Sequence, residues 1–253
     1  MAGSMSSTSS SQQLIAVIGR GHAGTRILSH TFYASGVYMG HKLSDKGDTL
    51  PPDDMYAACR IISKYVRWTG GLTWDFDELH TMPIKSKFED LVRRYLQYVL
   101  SAGRPSRGWK LPETTLAYPW IVRMFPEAKY VHIVRDPRDG LLKRHKNTDD
   151  LSQFKVPGPK LDDELAQRVA SWKYQHDIVK ATPRPEHFVS VRFEDLVLDH
   201  ESTMRQLEDF LGIPLARIVI DQTRVGQWKT GDQSLVPYVA PLADEMRELG
   251  YEL

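Results

Sequence analysis

One cysteine, Cys59, stands in a chain of 253 residues, which excludes an internal disulfide and a zinc site built from several thiolates. No apolar run is long enough to span a bilayer, and the polar, serine-rich start lacks the hydrophobic core of a secretory signal. The expectation is a soluble, cytoplasmic protein without a membrane span. An excess of one charge is also missing. The formal net charge is +1, so nothing supports general nucleic-acid binding, and any basic cluster has to matter locally. No internal repeat and no sustained heptad occur, which leaves the oligomeric state open. Residues 1–13 read as a disordered leader with a second start at Met5. Residues 14–253 read as one domain, because a chain of this size with ordinary apolar and charged fractions can bury one substantial core.

What the chain does have is two places where an apolar strand runs into the start of a helix. Residues 14–18 precede Gly19-Arg20-Gly21-His22-Ala23-Gly24-Thr25-Arg26, and residues 25–33 can continue as helix. Glycine at such a turn lets the backbone approach an anion, and the helix start offers unpaired N–H donors. Gly19 and Gly24 have the spacing of a P-loop, but Thr25 and Arg26 stand where its Lys and Ser/Thr belong. The hydroxyl that would ligate magnesium is displaced, so the expectation is a loop that holds phosphate without a metal. A tight structural turn is the other reading of these glycines.

The second place is Tyr130-Val131-His132-Ile133-Val134-Arg135-Asp136-Pro137-Arg138-Asp139. Val131 to Val134 is a short apolar strand, Asp136 suits an N-cap, Pro137 the first helical position, and Asp139 the acid of a capping box. Arg135 then offers a planar fork to an anion that also meets the helix dipole. Lys143, about two turns into that helix, leans back toward the same anion. The competing reading is a surface helix rich in base, with Arg138, Lys143, Arg144, His145 and Lys146 crowded together.

Alternating strands and helices predict an α/β fold: a single domain with a central, mostly parallel sheet flanked by helices on both faces, P-loop-like, with the ligand at the strands' C-terminal ends. The strands are expected at 14–18, 37–39, 109–111, 130–134 and 188–193. Met55, Cys59, Ile62 and Val66 keep helical spacing after Asp53 and Asp54, which makes Cys59 a core residue. Phe88 to Val99 mark another helix, ending near Gly103, and Leu165, Val169, Trp172 and His176 mark the core face of a helix over 161–179. The stretch Trp68-Thr69-Gly70-Gly71-Leu72-Thr73-Trp74-Asp75-Phe76 either walls an acceptor pocket, together with His80 and Trp109, or anchors a loop to the core. Residues 155–160, with Pro157 and Pro159, form a flexible connection that can act as a lid.

In this order the motifs resemble the sulfotransferases that use 3'-phosphoadenosine 5'-phosphosulfate (PAPS). Gly24-Thr25 matches that family's phosphosulfate loop, and Arg135-Asp136-Pro137-Arg138-Asp139 its 3'-phosphate motif. Val191-Arg192-Phe193-Glu194-Asp195-Leu196 is similar to its strand and acidic turn, residues 206–214 to the helix that follows, and Arg224-Val225-Gly226-Gln227-Trp228-Lys229 to the basic C-terminal segment that closes over the nucleotide. The resemblance runs over most of 14–253. It implies that Arg20, Gly21, His22, Ala23, Gly24, Thr25 and Arg26 hold the phosphosulfate, Arg135 and Lys143 the 3'-phosphate, and that Arg224, Trp228 and Lys229 complete the site. The chain departs from the pattern at His22, where Lys or Arg is usual, and at Ala23 and Lys143, where serines are usual. A neutral histidine at position 22 is a weaker electrostatic catalyst than a lysine.

Sulfuryl transfer through a loose, in-line transition state needs positioning, a base for the acceptor proton, and a cation at the leaving oxygen. The resemblance matches Lys110, in Gly108-Trp109-Lys110-Leu111-Pro112-Glu113-Thr114-Thr115, to a lysine lining the active site. Glu113 is the first candidate base, expected to face the sulfate, although it could simply cap a helix over 114–124. His22 competes for the role, and would stabilise the leaving phosphate if Glu113 is the base. His41, Lys42 and Asp45 form a third cluster. The implied function is metal-independent transfer from PAPS to a hydroxyl or amine of a small-molecule or carbohydrate acceptor. The alternatives are a P-loop-type small-molecule kinase and a catalytically inactive nucleotide-binding module.

Overall fold

A computed structural model describes residues 12–230 and 234–252; the expected leader up to residue 11 lies outside them. The strands are β1 (Gln13–Ile18), β2 (Arg67–Gly70), β3 (Thr73–Asp75), β4 (Ser106–Lys110), β5 (Lys129–Val134) and β6 (Phe188–Arg192). β1 reads QLIAVI, apolar on both sides of its pleat, as a strand covered on both faces must be. It pairs in parallel with β4 and β5, and β5 pairs in parallel with β6, giving the order β4-β1-β5-β6. The antiparallel pair β2 and β3 stands apart as a hairpin.

The period of two divides the sheet between two cores. Ala16, Ile18, Trp109 and Tyr130 join Met55, Ile62, Phe88 and Val92 from the helices Asp53–Ile62 and Ser86–Tyr95. Ile15, Val17, Val131 and Ile133 join Leu28, Phe32, Met204 and Leu207 from the helices Thr25–Ala34 and His200–Leu211 on the other face. Each fully buried Ile, Leu or Phe contributes roughly 1.5–3 kcal/mol, so the sheet is a stiff platform. Because its strands are parallel, the loops after β1, β4 and β5 leave from one edge.

Several expectations are corrected. Gln13 belongs to β1, where it pairs with Ser106, and not to a leader. Residues 37–39 do not form a full strand: only Tyr38 bridges to Arg107, because Gly36 and Gly40 turn the chain on either side with φ 83° and 110°. Phe193 opens the helix Phe193–Leu198 instead of closing β6. The helix expected at 114–124 is a 3-10 turn, Pro112–Ala117, followed by Tyr118–Met124. The helix expected from 161 starts at Glu164, where the Asp163 carboxylate accepts the Ala166 N–H at 2.8 Å.

The helix after Arg135 is the largest departure. It spans only Pro137–Gly140. Arg168 then donates to the carbonyls of Leu141 (2.9 Å) and Leu142 (3.2 Å), and Asp149 accepts the His145 N–H at 2.5 Å, so the chain is pulled out of helical register. Lys143 is therefore exposed beyond the helix end and not two turns inside it.

Candidate active site

The turn between β1 and the helix Thr25–Ala34 is shaped by what packs against its glycines. A Cβ on Gly24, whose φ is 107°, would lie 2.5 Å from the Phe193 ring and 2.9 Å from Ile133 Cδ1; one on Gly21 would lie 2.3 Å from the His145 ring. Between them His22 holds φ 67°, an uncommon conformation for a residue with a side chain. The turn therefore needs glycine at positions 21 and 24, where the His145 and Phe193 rings take the place of a side chain.

Arg135 leaves β5 beside this turn. Its guanidinium lies 4.2 Å from the centre of the Phe193 ring and donates to the His22 carbonyl at 3.2 Å and to the Arg224 carbonyl. Phe193 thus packs on both Gly24 of the first turn and Arg135 of the second motif. Asp136 caps its short helix through the Arg138 N–H at 2.8 Å. Asp139, expected as a capping-box acid, instead accepts the N–H groups of Gly226 (2.6 Å) and Trp228 (2.9 Å), while Arg138 lies 3.9 Å over the Trp228 ring.

This clasp fastens the C-terminal basic segment to the second motif. Hydrogen bonds to a charged acceptor are each worth roughly 1.5–3 kcal/mol. Asp139→Ala is expected to release residues 224–230 while the sheet stays folded. Limited proteolysis would show early cleavage there; an unchanged digestion pattern would count against the clasp.

Both motifs open into one cleft of about 300 Å³. Gly21, His22, Gly24, Thr25, Arg26, Lys110, Arg135 and Arg224 line it, together with Lys46, Asp48, His145 and Phe193. Lys110, at the end of β4, is 2% exposed and donates to Asp48 and to the Lys46 carbonyl at 2.8 Å. Burial lowers its pKa, and Asp48 opposes that shift. His22 Nε2 meets the Arg144 carbonyl at 3.2 Å, so that nitrogen carries the proton, and partial burial holds the ring below the ordinary histidine pKa.

The cleft's cations and the turn glycines that line it fit a ligand bearing separated phosphate-type anions. Among the described residues no group of three or more His, Cys, Asp or Glu side chains comes together as a metal site, and no helix is long and apolar enough to cross a membrane.

The Sulfotransferase family model matches residues 17–217. The chain belongs to the sulfotransferase family. It is 28% identical over 124 residues to the omega-hydroxy-beta-dihydromenaquinone-9 sulfotransferase Stf3 of Mycobacterium bovis, and equally to that of Mycobacterium tuberculosis. That match takes in 47% of this chain and 32% of each relative, so the chain spans about a third of the length of those curated relatives. Among solved structures it is similar to the sulfotransferase domain from the curacin biosynthetic pathway, with TM-score 0.57 and 16% identity over 96% of this chain and 99% of that one. It is also similar to sulfotransferase STF9 from Mycobacterium avium, with TM-score 0.51 and 14% identity over 96% and 78%. At these identities the likeness establishes the fold.

Within this sulfotransferase, several residues expected in the cleft lie elsewhere. Arg20 is turned inward, ion-paired with Asp149 and bonded to the Gly140 carbonyl at 3.3 Å. Ala23 is buried under the loop, and Lys143 is exposed past its helix. Trp228 packs on Arg138, with Lys229 near its ring at 5.7 Å, and neither lines the cleft. Glu113 does not face the cleft as expected: it is 1% exposed, with both carboxyl oxygens unbonded, and makes no helix cap. Burial raises its pKa to about 7. Asn147, whose amide also donates to the Tyr56 hydroxyl at 2.7 Å, lies beside it and opposes that shift.

The expected aromatic pocket does not form as a unit. Trp109 is fully buried, and Trp68 bonds within its own hairpin to the Gly71 carbonyl at 3.0 Å. Trp74 and Phe76 pack on Tyr174, which makes the segment an anchor, and Trp74 Nε1 donates to the Pro157 carbonyl at 2.6 Å. Trp74 does line a second cleft of about 370 Å³ with Leu151, Val156, Pro159 and Leu161. His80 and Trp109 lie outside both clefts, and His41 packs instead on Tyr98. Cys59 is buried, with its thiol pKa raised by burial, as its helical spacing predicts.

Lys46, Asp48, Phe193 and His145 are cleft residues that the sequence reading did not assign. Lys46 and Asp48 sat in an undifferentiated polar loop, and His145 was hidden in a run of bases. Only the position of Phe193 next to Glu194, in the matched strand motif, was a usable signal.

Proposed function

We propose that this sulfotransferase moves a sulfuryl group from PAPS to a hydroxyl or amine of a small-molecule or carbohydrate acceptor, leaving adenosine 3',5'-bisphosphate and using no metal. The observation that carries the reading is the meeting of two strand-to-helix anion motifs in one cleft, tied together through Phe193 and the Arg135 bond to the His22 carbonyl. A single isolated phosphate would need only one of them. Relatives named for an omega-hydroxy menaquinone derivative support a hydroxyl acceptor. The lone buried Cys59 fits a reducing compartment such as the cytoplasm.

In this reading the N–H groups at the start of the helix Thr25–Ala34, with Arg26, hold the phosphosulfate, and Arg135 with Arg224 holds the 3'-phosphate. Bound there, PAPS supplies the sulfuryl group and a good leaving phosphate. Lys110, kept in place by Asp48, meets the developing charge. Glu113 takes the acceptor proton: its pKa of about 7 is suited to exchange near neutrality. Pro112, next to it, lines the cleft, which places the carboxyl one residue behind the cleft wall.

Titration calorimetry in chelator tests the donor site with adenosine 3',5'-bisphosphate against adenosine 5'-monophosphate. The wild type is expected to prefer the bisphosphate, and Arg135→Ala to lose roughly a hundredfold of that affinity, the worth of charge-assisted bonds to phosphate. Equal binding of the two nucleotides would reject PAPS as donor.

A further inference from the structure

We propose that His145 is a catalytic hydrogen-bond donor of the transfer, presenting a neutral imidazole Nε2–H to the group held on the turn of residues 21–24. The proposal rests on the sulfuryl-transfer reading above.

Three contacts place and protonate this ring. First, it occupies the space where a side chain at position 21 would begin: a Cβ there would be 2.3 Å from His145 Cδ2 and 2.6 Å from Nε2. The ring face therefore lies against Gly21, with Nε2 among its nearest atoms, and His145 lines the cleft. Second, Nδ1 receives the Thr148 backbone N–H at 3.1 Å, with the Thr148 hydroxyl 2.8 Å away. A backbone N–H can only donate, so Nδ1 must offer its lone pair and the ring proton sits on Nε2. Third, Asp149 accepts the His145 backbone N–H at 2.5 Å and is itself ion-paired with Arg20, which locks the segment to the phosphosulfate loop from behind.

The surroundings keep the imidazole neutral. Burial, followed by Arg20, His22, Lys46 and Lys110, pushes its pKa down to about 3. A second ring proton would also point straight at the Thr148 N–H. His145 therefore cannot serve as the base, and it keeps its single proton through the reaction.

The role answers a gap in the loop. His22, on the same turn, has its Nε2 spent on the Arg144 carbonyl. In the transfer, the sulfur–oxygen bond to the phosphate breaks as the bond from the acceptor oxygen to sulfur forms. The electron pair stays on the phosphate oxygen, and the acceptor proton passes to the base. The His145 Nε2–H meets the charge that grows on the phosphate side. A neutral donor adds little to ground-state binding of an anion, so its contribution falls mainly on kcat.

Nitrogen-15 NMR of the wild-type imidazoles is expected to show His145 as the Nε2–H tautomer, without titration, from about pH 5 to about pH 8. His145→Phe is expected to lower kcat ~100-fold while the dissociation constant for adenosine 3',5'-bisphosphate changes less than about tenfold. His145→Asn, which restores an N–H donor, should recover part of the rate with the pH profile unchanged. A proton on Nδ1, an ordinary histidine titration, or full kcat in His145→Phe would overturn the proposal, and the NMR result stands even if the variants do not fold. If the wild type fails to prefer the bisphosphate, the donor reading falls and this role with it. If the wild type binds it and His145→Phe turns over normally, only the His145 role is lost.

Discussion

Glu113→Gln is expected to make the protein more stable and nearly inactive at pH 8. The folded Glu113 carboxyl has a pKa of about 7, raised by burial from an ordinary 4.5. Between those values the unfolded chain has released this proton while the folded chain still holds it. The folded state binds more protons, so stability falls as pH rises through that window. Above pH 7 the accumulated loss is ~3 kcal/mol, at about 1.4 kcal/mol for each tenfold change. Below pH 4 both states are protonated and the loss vanishes.

Glutamine cannot ionise, so the substitution removes the penalty. Urea unfolding at pH 8 should show the variant gaining up to ~3 kcal/mol, with little difference at about pH 4. Catalysis should move the other way. Wild-type kcat/KM is expected to rise as pH passes about 7, where the base loses its proton. In Glu113→Gln that rise disappears and the rate drops roughly 100-fold or more. A limb that survives in Glu113→Gln but vanishes in His22→Gln would transfer the role to His22. A carboxyl whose pKa is raised by burial costs stability once ionised, which is why stability and activity are set against each other here.

Gly24→Ala is the second substitution with a large expected effect, because it acts on both anion motifs at once. Its φ of 107° strains any side chain, and its Cβ would drive into the Phe193 ring at 2.5 Å. Phe193 cannot yield freely, since it is buried at 3% exposure and carries the Arg135 guanidinium on its face. Backbone strain and overpacking together predict a loss of ~2–4 kcal/mol. Displacing Phe193 also moves Arg135, so affinity for adenosine 3',5'-bisphosphate should fall by roughly 100-fold or more. Gly36→Ala supplies the control: its φ is 83°, yet nothing lies within 4 Å of its Cβ. That variant should show backbone strain alone and bind the bisphosphate normally. Calorimetry and urea unfolding on both separate the two effects, and normal binding by Gly24→Ala would break the proposed coupling.

Local signals carried far into the fold. The continuous apolar runs at residues 14–18 and 130–134 announced strands covered on both faces, and the glycines and Asp136-Pro137 that follow announced helix starts. These are short-range effects of periodicity and capping, so sequence reports them well. Helical spacing likewise marks Cys59 as a core residue, and it is buried. Residues 37–39 misled because a short β-like run flanked by glycines looks the same whether it pairs along its length or at a single residue.

By itself, then, the sequence determined the parallel α/β layout, the two strand-to-helix motifs, and Arg135 as the arginine between them. Only the tertiary structure decided which of many charged side chains remained for the cleft. Arg20 was taken by Asp149, 129 positions away, and Lys143 was stranded when Arg168 and Asp149 drew the chain off its helix. The Asp139 carboxylate accepts from the backbone of Gly226, 87 positions on, and not from its own helix start, and Glu113 was sealed inside. His145 was brought onto Gly21 by the same folding back. The reason is physical: periodicity reports which face of an element avoids water, whereas the partner of a charge is set by three-dimensional proximity, and that exists only once the chain has packed.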